Sequence, residues 1–236
     1  MSLRDRRPAV VSGAGSGIGR AIALELARRG HPLLLLGRTS PTLEATLTAA
    51  GGEGIALTCD VRSAAEVEAA LARAAASGVS PEIVVPAAGV ARVGRLETLD
   101  ESDLRESLET NLLGALHLFR ACLPRLRTSG SGHLFVLLSV AALRGFDGWS
   151  AYCASKWGLR GAVEALREEL AGTDIRLTAI VPGATDSPLW NGVPGTWNRS
   201  AMLPARRVAE AVVWALEASR DAAVEEIRLQ PPGGNL

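Results

Sequence analysis

Two residue types are almost missing from this 236-residue chain. Of its 25 Lys and Arg residues only Lys156 is a lysine, and Tyr152 is the only tyrosine. Acidic residues also number 25, so there is no basic excess to neutralise phosphates, which argues against a nucleic-acid partner. Cysteine is sparse. Cys59, Cys122 and Cys153 are odd in number, far apart and without metal-ligand spacing. They are expected to be reduced core residues of a cytoplasmic protein, and no metal site is expected. Nowhere do 18 apolar residues run together, so no membrane-spanning helix is expected. Arg4, Arg6 and Arg7 before an apolar stretch faintly resemble a secretory leader. That stretch is broken by Gly13, Gly15, Gly17 and Gly19, and charge returns at Arg20 and Glu25. Disorder is excluded by an apolar share of 47% against 21% charged. A chain of this length can bury one core without staples.

What is present alternates. Short apolar runs at Pro8–Ser12, Pro32–Leu36, Gly54–Thr58, Glu82–Val85, His133–Leu138, Ile175–Val181 and Val224–Leu229 have the uniform hydrophobicity of strands buried on both faces. Helical spacings lie between them. Ile18, Ile22 and Leu26 form one set. Leu104, Leu108, Leu112, Leu116, Phe119 and Leu123 trace a long helix expected to stop near Pro124. Tyr152, Lys156, Leu159, Val163, Leu166 and Leu170 mark another helix, and Val208, Val212 and Ala215 a last one. The alternation predicts an α/β protein: a doubly wound, parallel, seven-stranded sheet with helices on both faces, as one domain over residues 1–236. Pro182–Pro204 breaks the pattern with four prolines, two tryptophans and no periodicity, and is expected to be a substrate lid.

Three motifs carry chemistry. Ser12-Gly13-Ala14-Gly15-Ser16-Gly17-Ile18-Gly19 joins the first strand to the first helix. Such a turn brings backbone N–H groups against a pyrophosphate at a helix N-terminus. Past the second strand, where a carboxylate would hold a ribose 2′-hydroxyl, the chain reads Leu36-Gly37-Arg38-Thr39. An Arg there pairs with a 2′-phosphate, which favours NADP and leaves NAD possible. Third, Tyr152 stands one helical turn before Lys156, with Ser139 at the end of a strand thirteen residues earlier. A phenol works as an acid or base near neutrality when a nearby cation stabilises its phenolate, and Ser139 can hydrogen-bond a substrate oxygen beside it. Asn111 falls on the apolar face of the long helix, where a buried amide needs partners.

These motifs resemble the short-chain dehydrogenase/reductase family, in its shorter single-domain form, from Ser12 to Leu229. The resemblance implies a catalytic set of Asn111, Ser139, Tyr152 and Lys156. Tyr152 would be the acid/base, Ser139 would orient the substrate oxygen, and Lys156 would lower the phenol pKa and bind the nicotinamide ribose. Asn111 would hold a water linking Lys156 to solvent. It implies cofactor contacts at Gly13, Ser16, Gly17, Ile18, Gly19 and Arg38, at the adenine-binding Asp60-Val61, and at Ala88 and Gly89. It adds Tyr152, Lys156, Pro182-Gly183, and Thr185 with Ser187 at the carboxamide. The sequence departs from the family where Pro86-Ala87 replaces Asn-Asn, so Pro86 should end its strand. The implied activity is hydride exchange between NADP and a carbonyl or alcohol. The alternatives are a 3-oxoacyl-thioester reductase and a silent nucleotide-sensing protein. Leu143, Phe146, Trp149, Trp190, Val193, Trp197 and Met202 suggest an apolar substrate, while Arg144 and Arg199 could meet an anion. Leu113, Leu118, Trp157 and Ala162 give two helices a second apolar face, and the family pairs these helices, so a homodimer or homotetramer is expected.

Overall fold

The structure, a computed structural model, describes residues 6–219 and 221–234. Arg4 lies outside them. Seven strands form one parallel sheet: β1 (Ala9–Ser12), β2 (Leu33–Gly37), β3 (Gly54–Thr58), β4 (Ile83–Pro86), β5 (Gly132–Leu137), β6 (Ile175–Pro182) and β9 (Glu226–Leu229), in the order β3-β2-β1-β4-β5-β6-β9. The last strand starts two residues later than its apolar run. Two further short strands, β7 (Thr185–Asp186) and β8 (Leu203–Pro204), pair with each other between β6 and β9. The order reverses between β1 and β4, which makes a crevice at the carboxyl ends of those strands.

The helices are α1 (Gly17–Arg28), α2 (Ser40–Ala49), α3 (Ala64–Ala76), α4 (Glu101–Leu108), α5 (Gly114–Ser129), α6 (Ser150–Glu169) and α7 (Ala205–Glu217). Alternate strand residues point to opposite faces, so the sheet has a core on each side. Val10, Leu34, Val84 and Val136 meet Leu71, Phe119 and Leu159 from α3, α5 and α6. Val11, Leu35, Val85 and Phe135 meet Ile22, Leu26, Val208 and Val212 from α1 and α7. Full burial of each such side chain contributes about 1.5–3 kcal/mol. Both cores share one sheet, and the chain is a single α/β domain.

The long helix departs from expectation twice. It does not stop at Pro124 but runs through it to Ser129. Pro124 and Arg120, the residue whose carbonyl loses its i+4 partner, both lie on the exposed face, where water can take that bond. Nor is the helix uniformly α. Residues Glu109–Leu113 form one π turn between α4 and α5, with Asn111 inside it. Of the residues assigned to a second apolar face, Leu118 is instead fully buried in the domain's own core, whereas Leu113 and Trp157 are exposed. Among the described residues, no helix is long and apolar enough to cross a membrane.

Candidate active site

The turn after β1 needs two left-handed residues, Gly13 (φ 66°) and Gly17 (φ 52°). A Cβ on Gly13 would sit 2.7 Å from the backbone of Ala88, so glycine allows the loops after β1 and β4 to meet at the strand-order reversal. Ser12 braces the same approach: the Ala88 N–H donates to its hydroxyl at 3.3 Å. Pro86 ends β4 as expected. On the β5 side pairing stops at Val84, so the missing amide N–H lies beyond that ladder. The N-terminus of α1 is open. Ser16 precedes it without a capping side-chain bond, and its first turn carries no acidic residue. Free N–H groups and the helix dipole therefore face the crevice, a cradle for a diphosphate.

From that crevice a cleft of about 470 Å³ extends across the carboxyl edge of the sheet. It is lined by every catalytic and cofactor-binding residue expected from sequence: Gly13, Ser16, Gly17, Ile18, Gly19, Arg38, Asp60, Val61, Ala88, Gly89, Asn111, Ser139, Tyr152, Lys156, Pro182, Gly183, Thr185 and Ser187. At one end Arg38 is exposed just past β2. Near it Arg62 grips both oxygens of Asp60: Nε donates to Oδ1 at 3.1 Å and to Oδ2 at 3.0 Å, and Nη2 donates to Oδ2 at 2.6 Å. That pair holds the Asp60 carboxyl below the usual carboxylate range, through hydrogen bonding first. Sequence reading overlooked Arg62. Its only signal was its place two residues after Asp60.

At the other end Tyr152 and Lys156 project from α6 toward Ser139, which follows β5. Lys156 is 7% exposed and its Nζ donates to the Leu137 carbonyl at 2.8 Å. Burial brings this ammonium down to about 8. Burial also pushes the Tyr152 phenol up to about 12, with a hydrogen bond from Ser139 pulling the other way. The lowered phenol pKa expected from Lys156 is thus not found in the chain by itself. The cation sits 5.7 Å from the ring centroid and is engaged by a carbonyl, while desolvation dominates.

Asn111 ties the site together. Its Oδ1 accepts the Val90 N–H at 2.8 Å, and its Nδ2 donates to the Val90 carbonyl (2.9 Å) and to Ser155 Oγ (3.0 Å). Ser155 in turn donates to the Tyr152 carbonyl at 2.7 Å. The amide thus links the loop after β4 to the helix carrying the phenol. Both its N–H groups are used, so only a lone pair on Oδ1 is left for a water. Ser155 was legible only as part of the Tyr152–Lys156 stretch. The Thr185 hydroxyl donates to the Gly183 carbonyl at 3.0 Å and keeps its lone pairs.

The substrate end is aromatic. Trp149 stands 5.5 Å from Tyr152 and 5.8 Å from Trp190, which stands 4.9 Å from Trp197, all between ring centroids. Leu143, Val193 and Met202 do not line the cleft. Leu143 packs against the core, and Val193 and Met202 are buried. Neither do the two arginines considered for an anion. Arg144 lies 4.6 Å over the Phe146 ring, and Arg199 is held by Asp186 (2.7 Å) and the Ser187 carbonyl (2.7 Å).

Proteins of similar sequence and fold are known. A sepiapterin reductase of Chlorobaculum tepidum is 37% identical over 96% of this chain and 97% of its own. An alcohol dehydrogenase from the archaeon Thermococcus sibiricus, solved with 5-hydroxy-NADP, superposes with a TM-score of 0.86 at 31% identity, covering 96% of this chain and 97% of that one. Actinorhodin polyketide ketoreductase, solved as a variant with NADPH, gives a TM-score of 0.89 at 27% identity over the whole of both chains. Residues 7–196 match the short chain dehydrogenase family, and the chain belongs to it.

Proposed function

We propose that the chain is an NADPH-dependent carbonyl reductase that turns a neutral ketone or aldehyde into an alcohol. The observation that carries this is the convergence of Ser139, Tyr152 and Lys156 on one end of the cleft, with Lys156 anchored on the Leu137 carbonyl. Burial pushes the Tyr152 phenol further above its ordinary value, so it is a proton donor, as reduction requires, throughout the neutral range. NADP(H) is supported by its presence in the solved relatives, by the open N-terminus of α1 and by Arg38 at the far end of the cleft. When bound, the cofactor supplies the hydride.

The chain's own residues do the rest. Ser139 and Tyr152 direct hydroxyls at the substrate oxygen, and Tyr152 delivers its proton there as negative charge develops. Lys156, near 8 and anchored on Leu137, re-protonates the phenol from the interior. Asn111 positions both through Ser155 and Val90, and a water on its Oδ1 would complete a path to solvent. Pro182–Pro204 would close over the substrate. Leu113 and Trp157, large and exposed, would pack against a second copy in a homodimer or homotetramer. Three free cysteines fit a reducing cytoplasm.

The test is a substrate panel with NADPH, followed at the nicotinamide absorbance band. It includes simple ketones, sepiapterin and a 3-oxoacyl thioester, run with wild type and Tyr152→Phe. Reduction by wild type and a loss of roughly 10²–10⁴ in the variant, with NADPH binding kept, is the expected outcome. Cofactor binding without turnover of any member would point instead to a nucleotide sensor. Preference for the thioester would move the assignment to a 3-oxoacyl-thioester reductase.

A further inference from the structure

Beyond Tyr152 the cleft is walled mainly by rings, with Pro188 and Leu189 beside them. Trp149, Trp190 and Trp197 follow one another from the phenol outward at centroid spacings of 5.5, 5.8 and 4.9 Å, and Phe146 lies 6.5 Å from Trp149. Among the described residues, no charged side chain lines this end. The ionic lining residues Arg38, Asp60 and Arg62 belong to the opposite end, and Lys156 lies beneath the phenol. A phosphate or carboxylate on the reacting part of the substrate would find no partner here.

The polar edges of the outer rings are already used. Trp190 Nε1 donates to the Thr185 carbonyl at 2.9 Å, and Trp197 Nε1 donates to the Pro194 carbonyl at 3.1 Å. Gly195, at φ 107°, turns the chain so that Trp197 folds back onto Trp190. Both indoles are therefore held by the protein through their N–H groups and can offer a ligand only their π surfaces and ring edges. Neither belongs to either core cluster, and both remain half-buried at the cleft.

Resting on the carbonyl-reductase reading above, we infer that this wall selects a neutral planar aromatic ring carried directly on the substrate carbonyl or one methylene away. The distance sets the reach. Trp149 is 5.5 Å from the phenol and Trp190 one ring further, so a ring close to the carbonyl falls against both indoles, whereas an extended acyl chain would pass beyond them. Flat rings gain from offset or edge-to-face contact with indoles beyond what their buried area gives, and a puckered saturated ring of equal carbon count does not. Two such contacts correspond to a preference of roughly 5- to 150-fold.

The experiment compares 1-phenylpropan-2-one with 1-cyclohexylpropan-2-one, two unconjugated methyl ketones with the same carbon skeleton, with NADPH and wild-type enzyme. The expected kcat/KM ratio is at least fivefold in favour of the phenyl compound, falling toward one in Trp149→Leu and, separately, in Trp190→Leu. A wild-type ratio near one, or a ratio that both variants retain, overturns the inference and leaves the carbonyl-reductase reading standing. A second readout needs no turnover: quenching of tryptophan fluorescence by the two corresponding alcohols, with NADP present. Tighter binding of 1-phenylpropan-2-ol than of its cyclohexyl analogue supports the ring site even if neither ketone is reduced. Equal binding of the two counts against it.

Discussion

Replacing Lys156 with Met keeps the apolar stem and removes the charge. At 7% exposure the ammonium is brought from the 10.5 of an open lysine down to about 8. The unfolded chain therefore holds this proton more tightly than the native one, and wild-type stability must rise with pH between those two values. Below pH 8 the full penalty is present, and above 10.5 it has gone. Integrated from pH 7 to pH 10, the penalty shrinks by about 2 kcal/mol. The variant lacks this contribution but leaves the Leu137 carbonyl without its 2.8 Å partner, a cost of about 1–3 kcal/mol that does not depend on pH. The two proteins should thus have similar stability at pH 7, and wild type should gain about 2 kcal/mol on the variant by pH 10. Cys59, Cys122 and Tyr152, all pushed up by burial, lose stability as the solution becomes alkaline. They are common to both proteins and cancel in the difference. Urea unfolding of the cofactor-free proteins at both pH values and one protein concentration, followed by circular dichroism, measures it. A stability difference that stays constant from pH 7 to pH 10 would refute the claim that Lys156 is held as a desolvated ammonium.

Three further outcomes are expected. Arg38→Ala should lower the kcat/KM preference for NADPH over NADH roughly tenfold, the low end for a lost Arg–phosphate pair because the residue is exposed to screening water; an unchanged ratio would make Arg38 a mere solvated loop residue. Hydrogen exchange in Pro182–Pro204 should slow when NADPH and a ketone are added, and equal protection with and without them would end the lid assignment. Light scattering at micromolar concentration should give at least a dimer, with Trp157→Glu shifting it toward monomer because the charge lands on an exposed apolar face; a wild-type monomer would sink the assembly proposal.

Local patterns in the chain carried the sheet, its seven strands and most of the site. Strands buried on both faces are apolar throughout, and that is visible without coordinates. The glycines 13, 17 and 19, the Tyr152–Lys156 spacing and Ser139 are legible because each depends on backbone geometry or helix pitch within a few residues. The adenine end was only half legible: Arg38 and Asp60 stood out by position, but the grip of Arg62 on Asp60 did not. Other features depend on contacts across the fold. The π turn at Glu109–Leu113 lets Asn111 bond Val90, twenty-one residues away, and Ser155, forty-four residues away, and no local periodicity encodes those partners. Passage of the helix through Pro124 was decided by which face meets water, and burial of Leu118 by the core it packs into. The upward shift of Tyr152 and the downward shift of Lys156 both follow from desolvation, which arises only once the domain has closed around them. The tryptophan wall likewise exists because β7 and β8 fold Pro182–Pro204 back over the carboxyl edge of the sheet, bringing rings from positions 149, 190 and 197 into contact.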